Sequence, residues 1–125
     1  MENKLKVKVS LIDDKICVLT IFGELTIFSN DFDLFVKEVN AYMKMGIFRF
    51  ILDLTNLNYI DSSGIGVIIR LATNASKHNT KIITICNNAQ VLRIFSVSNI
   101  DKILKFVKSV NEGLEFYNND QGVSQ

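Results

Sequence analysis

The residues with the most chemical potential lie in one run, Tyr59-Ile60-Asp61-Ser62-Ser63-Gly64-Ile65-Gly66. Two adjacent hydroxyls beside a carboxylate admit three kinds of chemistry: capping a helix, attacking an electrophile, or accepting a phosphate. A serine nucleophile needs a base within hydrogen-bond reach, itself oriented by a third group. The single histidine, His78, falls at the far end of the helix that Ser62 would begin, about 22 Å away for a helix of about 15 residues. The run is not Gly-x-Ser-x-Gly, and no Ser-x-x-Lys spacing surrounds Ser62 or Ser63. A hydrolase is therefore disfavoured. Phosphate-cradling glycine motifs are missing too, since Gly64-x-Gly66 alone is too short. Asp53 with Asp61 is a thin start for a metal site. The expectation is a chain that is not an enzyme and uses no cofactor or metal.

A passive phosphoacceptor remains. Phosphorylation would place about −1.5 to −2 charges at a helix start, where free N–H groups and the helix dipole offset it. The same charge facing a partner's acidic or apolar surface would weaken docking. The rival reading is that both serines only cap the helix.

The flanking elements must hold this run in place. Phe48-Arg49-Phe50-Ile51-Leu52-Asp53-Leu54 reads as a buried strand. Ile65, Ile68, Ile69, Ala72 and Ala75 recur at helical spacing, predicting a helix from about Ser63 to Lys77. Asp61, Ser62 and Ser63 fall where its N-cap belongs. Gly64 and Gly66 are poor helix formers; helix-on-sheet packing accounts for Gly66 better than for Gly64. Arg70 and Lys77 should face solvent, Asn79 should end the helix in a left-handed conformation, and His78 should be a surface residue favoured by the dipole.

Upstream, Leu5, Val7 and Val9 alternate with Lys4, Lys6, Lys8 and Ser10, a strand with one buried face. Its lysines blunt an edge against aggregation more plausibly than they bind phosphate. Asp13-Asp14-Lys15 supplies a turn into a second strand, Ile16 to Phe22, which Gly23 should end. Ser29 or Asn30 should cap a helix whose inner face carries Phe32, Phe35, Val36, Val39, Tyr42 and Met43, with Gly46 as its stop. Downstream come a buried strand at Lys81–Cys86 and a short helix from Ala89 to Val97, capped by Asn87 or Asn88. In that helix Val91, Leu92 and Phe95 should point inward, and Arg93, Ser96 and Ser98 outward. A last strand spans Ile103–Val107, and a final helix is marked by Val110, Leu114 and Tyr117. Residues 1–117 form one domain, and the polar residues 118–125 are expected to be a frayed tail. The order implies an α/β fold, a mixed sheet covered by helices.

With 125 residues, 48% hydrophobic and 22% charged, the chain is long enough for one core without staples. Its formal net charge of +1, without a basic run, argues against a nucleic-acid partner. Cys17 and Cys86 lie in apolar β-like runs and read as buried free thiols of a reducing cytosol. The first residues lack the apolar core of a signal peptide, and no run approaches a membrane span. A cytoplasmic protein without direct membrane contact is expected.

The stretch Asp61-Ser62-Ser63-Gly64-Ile65-Gly66-Val67 after Leu52-Asp53-Leu54 closely resembles the signature of bacterial anti-sigma factor antagonists, members of the STAS family. Gly23-Glu24-Leu25 matches the family's first loop, and the likeness continues through Thr80–Cys86 and Ala89–Ser98. The resemblance implies the STAS fold, with about four helices and five strands. It implies that Ser62 is the phosphoacceptor, that Ser63 caps the helix, and that Asp61 orients the Ser62 hydroxyl or guides a kinase. It implies a partner surface made of Gly23, Glu24, Leu25 and Thr26 with Asp61, Ser62, Ser63, Gly64, Ile65 and Gly66, the first loop running on to Phe28 and the exposed face of the following helix completing it. The implied partners are an anti-sigma factor with serine kinase activity and a serine phosphatase. Where the family usually has Asp after Gly-Glu-Leu, this chain has Thr26, followed by Ile27 and Phe28. The alternative is a STAS scaffold or sensor module of a transporter or signalling assembly, without serine phosphorylation.

Overall fold

The structure, a computed structural model, describes residues 4–123, with side chains described as far as Asn119. Strand β1 (Leu5–Ile12) and strand β2 (Ile16–Leu25) form the expected antiparallel hairpin, in register from Leu5↔Gly23 to Ile12↔Ile16. Asp13 and Asp14 both take positive φ, and the Lys15 amide donates to the Ile12 carbonyl. Such paired positive φ values match a tight turn to the right-handed twist of its strands. β1 lies at the sheet edge, with Lys6 and Lys8 on its exposed face, as the alternation predicted.

The remaining elements are α1 (Phe32–Lys44), β3 (Arg49–Asp53), β4 (Leu57–Ile60), α2 (Ser62–Lys77), β5 (Ile82–Ile85), α3 (Ala89–Val97), a 3₁₀ turn (Ile100–Ile103), β6 (Leu104–Phe106) and α4 (Val110–Val123). The sheet runs β1-β2-β3-β5-β6, parallel from β2 onward, and β4 adds to β2 beyond the end of β3. The buried apolar faces of α1, α2 and α3 share one core with one side of the sheet. α4 alone covers the other side, where Tyr117 packs against Ile51 and Ile83. The Tyr117 hydroxyl lies 2.7 Å from the carbonyls of both Phe50 and Lys81, tying α4 to β3 and to the approach to β5.

Several expectations need correction. Gly23 does not end β2: the strand passes through it at φ +92° to Leu25, with a bulge between Gly23 and Glu24. A Cβ there would sit 2.2 Å from the Lys4 carbonyl oxygen, so only glycine fits this close approach. Neither Ser29 nor Asn30 caps α1. The N-cap is Asp31 at φ 61°, with no side-chain cap bond. The Ser29 hydroxyl goes instead to the Glu24 carbonyl and the Asn30 Oδ1 accepts from the Leu5 amide, tertiary ties that outcompete a local cap.

Leu57–Ile60, which lies between the expected strand at Phe48–Leu54 and the expected helix, is itself a strand, because the end of β2 offers it a ladder. Cys86 is only half-buried, whereas Cys17 is fully buried; both thiols are free. Leu92 is half-buried rather than inward. α4 runs on to Val123, into the segment set apart as a polar tail, and residues 124 and 125 lie outside the described residues. Gly46 at φ +93°, Asn79 at φ 60° and Asn88 as the cap of α3 stand as expected.

Candidate functional site

The long β2 strand is what places the serines. Its first half pairs with β3 through Thr20↔Asp53, and its second half with β4 through Leu25↔Ile60. Between them Asp53 closes a tight connection, its Oδ1 accepting from the Thr55 amide at 3.1 Å and hydroxyl at 2.6 Å. The chain thus leaves the ladder, re-enters it four residues later, and delivers Asp61 beside the end of β2. The Asp61 amide donates to the Leu25 carbonyl at 3.3 Å.

Asp61 is the N-cap of α2, in extended conformation. Its Oδ1 accepts from the Gly64 amide at 3.0 Å, the standard cap bond. Its Oδ2 accepts from the Ile27 amide at 3.1 Å, across 34 residues of sequence. One carboxylate therefore fastens both the helix start and the β2–α1 loop. It satisfies the cap that the resemblance assigned to Ser63; Ser62 and Ser63 occupy the first two helical positions instead. Their amides precede the helix's own hydrogen-bond ladder. Asp61 makes no hydrogen bond to the Ser62 hydroxyl, which is exposed.

The loop opposite is tied by hydroxyls. Ser29 Oγ donates to the Glu24 carbonyl at 2.5 Å, so toward Thr26 it can only accept. It receives the Thr26 amide at 3.3 Å and the Thr26 hydroxyl at 3.0 Å. Thr26 Oγ1 in turn accepts from the Phe28 amide at 3.3 Å. Thr26, at the position where this sequence departs from Asp, is 3% exposed and serves as an internal staple. The staple turns Ile27 and Phe28 outward, 57% and 81% exposed.

The two glycines of α2 exchange the roles expected of them. A Cβ on Gly64 would meet the Leu25 carbonyl oxygen at 2.4 Å and Ile60 Cγ1 at 2.7 Å, so Gly64 is the packing glycine. A Cβ on Gly66 would meet nothing within 4 Å. Ser62, Gly66 and Ile69 follow at helical spacing, and Ile69 is exposed.

Among the described residues no base hydrogen-bonds to the Ser62 hydroxyl. His78 lies at the C-terminal end of α2, its Nδ1 3.0 Å from the Asn74 carbonyl oxygen and its ring stacked on Phe48 at 4.0 Å. Among the described residues no group of three or more His, Cys, Asp or Glu could hold a metal ion. No helix there is long and apolar enough to cross a membrane.

A STAS domain model matches residues 8–113. The chain belongs to the STAS domain family. A Thermotoga neapolitana protein named as an anti-sigma factor antagonist homolog is 30% identical over 83 residues, which are 66% of this chain and 74% of that one. The crystal structure of a Thermotoga maritima protein of the same designation superposes with a TM-score of 0.71 at 27% identity, covering 87% of this chain and 92% of that one. The anti-sigma factor antagonist SpoIIAA, unphosphorylated, superposes with a TM-score of 0.78 at 15% identity, covering 91% and 97%. Its phosphorylated Bacillus form gives 0.70 at 15%, covering 90% and 99%. At such identities the likeness is one of fold. By homology this STAS domain falls with the anti-sigma factor antagonists.

In this STAS domain the residues expected to face a partner divide by depth. Leu25, Thr26 and Gly64 are buried and shape the surface from beneath. Gly23, Glu24, Asp61, Ser63, Ile65 and Gly66 are half-exposed, and Ser62 is exposed. Ile27 and Phe28 belong to the loop expected to dock a partner, and both are exposed. Tyr59 was given no surface role and Ile69 was counted with the apolar pattern of α2, yet both are exposed as well.

Proposed function

We propose that this chain is a partner-switching anti-sigma factor antagonist of the cytoplasm. Unphosphorylated, it binds an anti-sigma factor that is also a serine kinase, and so frees a sigma factor for transcription. Phosphorylation of Ser62 by that kinase ends the interaction, and a serine phosphatase restores it. One observation carries the reading: an exposed hydroxyl at the first position of α2, with no base of its own, beside the exposed Ile27 and Phe28. A hydroxyl without a base is not an activated nucleophile, so its phosphorylation has to come from another protein's chemistry. The dipole of α2 makes a phosphate there tolerable to the fold. A surface of Ile27, Phe28 and Ile69 is one on which the same phosphate is costly to a docked partner, because an apolar contact cannot solvate it.

The test is a pull-down with wild type and Ser62→Asp as parallel baits, followed by phosphorylation with the captured kinase. Capture of an ATP-dependent serine kinase by wild type and its loss with Ser62→Asp, by about a hundredfold for a penalty of about 3 kcal/mol, supports the switch. Equal capture of one partner by both baits refutes it.

A further inference from the structure

Away from Ser62, at the other end of α2, lies an open cavity of about 830 Å³. Its size is within the range of small-molecule sites, roughly 300–1,000 Å³. Four lysines line it, Lys77, Lys81, Lys102 and Lys105, and none of its lining residues is a carboxylate. They come from three separate places: the end of α2, the approach to β5, and the segment from the 3₁₀ turn into β6. A chain of net charge +1 has thus gathered four of its 14 basic residues around one concavity. The C-terminal end of α2 contributes about half a negative charge, which four ammonium groups exceed.

The rest of the lining is apolar and polar in the way a ligand site requires. Ala72, Ile103 and Phe116 supply apolar surface, and Lys105 Nζ stands 5.9 Å from the Phe116 ring centre. Thr80, 8% exposed, also lines the cavity, and its hydroxyl has no hydrogen-bond partner among the described residues. A buried hydroxyl left without a partner is unfavourable. Rotation about its χ1 exchanges hydroxyl and methyl, which would turn the oxygen toward a bound group.

We propose that this cavity binds a small phosphorylated molecule with an apolar body. The lysines take the dianionic head as mobile point charges, Thr80 hydrogen-bonds it, and Ile103 and Phe116 cover the body. The site is separate from Ser62 by roughly 15 Å along α2, counting 1.5 Å per residue to Ala72, its first lining residue on that helix. It does not depend on the partner-switching reading.

The experiment is an amide NMR titration of the full chain with three probes: 1-naphthyl phosphate, 1-naphthol and inorganic phosphate. The expected result is saturable shifts for naphthyl phosphate at residues 72–81, 102–105 and 116, with each half-probe at least about tenfold weaker. The Lys102→Gln/Lys105→Gln pair, on the surface, should weaken naphthyl phosphate at least about tenfold while leaving the other resonances in place. Thr80→Val should weaken it as well without lowering Tm, because no protein hydrogen bond is lost. Naphthyl phosphate binding no better than its halves, unaffected by the lysine pair, or confined to Ile27 and Phe28, would overturn the proposal.

Discussion

Asp61 holds two amides with its two oxygens, one inside its own helix and one 34 residues upstream. Asp61→Ala should therefore cost more than an ordinary cap, about 1–2 kcal/mol in chemical denaturation. Amide exchange should quicken at both Gly64 and Ile27; quickening at Gly64 alone would mean that the loop is held without the carboxylate. Cys17 makes a prediction of a different kind. Burial pushes its thiol up from 9.0 to about 12, so the folded chain keeps a proton that the unfolded chain releases. The stabilisation is complete below about pH 9 and is lost progressively as pH rises toward 12. Cys86 is raised as well, by its partial burial, against a lowering backbone hydrogen bond from Asn88. Cys17→Ala should flatten the fall in stability above pH 9, measured by urea midpoints across that range. An unchanged slope would assign the fall to other groups.

The elements that sequence periodicity announced are those whose order is local. The hairpin, the inner faces of α1 and α2, and the cap of α3 were legible because their patterns repeat every two, three or four residues. β4 was not, because Leu57-Asn58-Tyr59-Ile60 becomes a strand only by finding Gly23–Leu25. The same holds for Ser29 and Asn30, whose cap-like side chains bond residues 5 and 25 positions away. At the site, the exposed Ser62 and the capping Asp61 could be read from the motif, but the bond from Asp61 to the Ile27 amide could not. The glycines of α2 sharpen the point, since composition alone cannot say which one another backbone approaches. Gly64→Ala should destabilise by about 1–3 kcal/mol through overpacking against Leu25 and Ile60. Gly66→Ala should stabilise by about 1 kcal/mol through helix propensity. Thermal melts of the two variants, shifting in opposite directions, would check both; a loss at Gly66 would show that its open side is needed for the fold.

At the scale of the molecule, one end of the sheet carries the serine and the other the lysine cavity, with α2 spanning the distance. The core is divided unequally, three helices on one face and α4 on the other, where the Tyr117 hydroxyl bonds add to the packing of Val110, Leu114 and Phe116 in seating the lone helix. The edges of the sheet are guarded differently. β1 carries Lys6 and Lys8 outward, and β6 is three residues long. Lys6→Thr/Lys8→Thr should leave the melting temperature within about 0.5 kcal/mol equivalent yet promote self-association, read by light scattering. A variant that stays monomeric at high concentration would show that the lysines are not what protects that edge. Guarded edges have a further consequence for how this chain can be recognised. Strand addition, the commonest way for a sheet to borrow a partner, is discouraged on both sides, and the faces are roofed by helices. What remains open is the rim where strands give way to loops and helices begin. An encounter there reads a few side chains and one hydroxyl rather than a length of backbone, so a single added charge is large against everything else the partner touches.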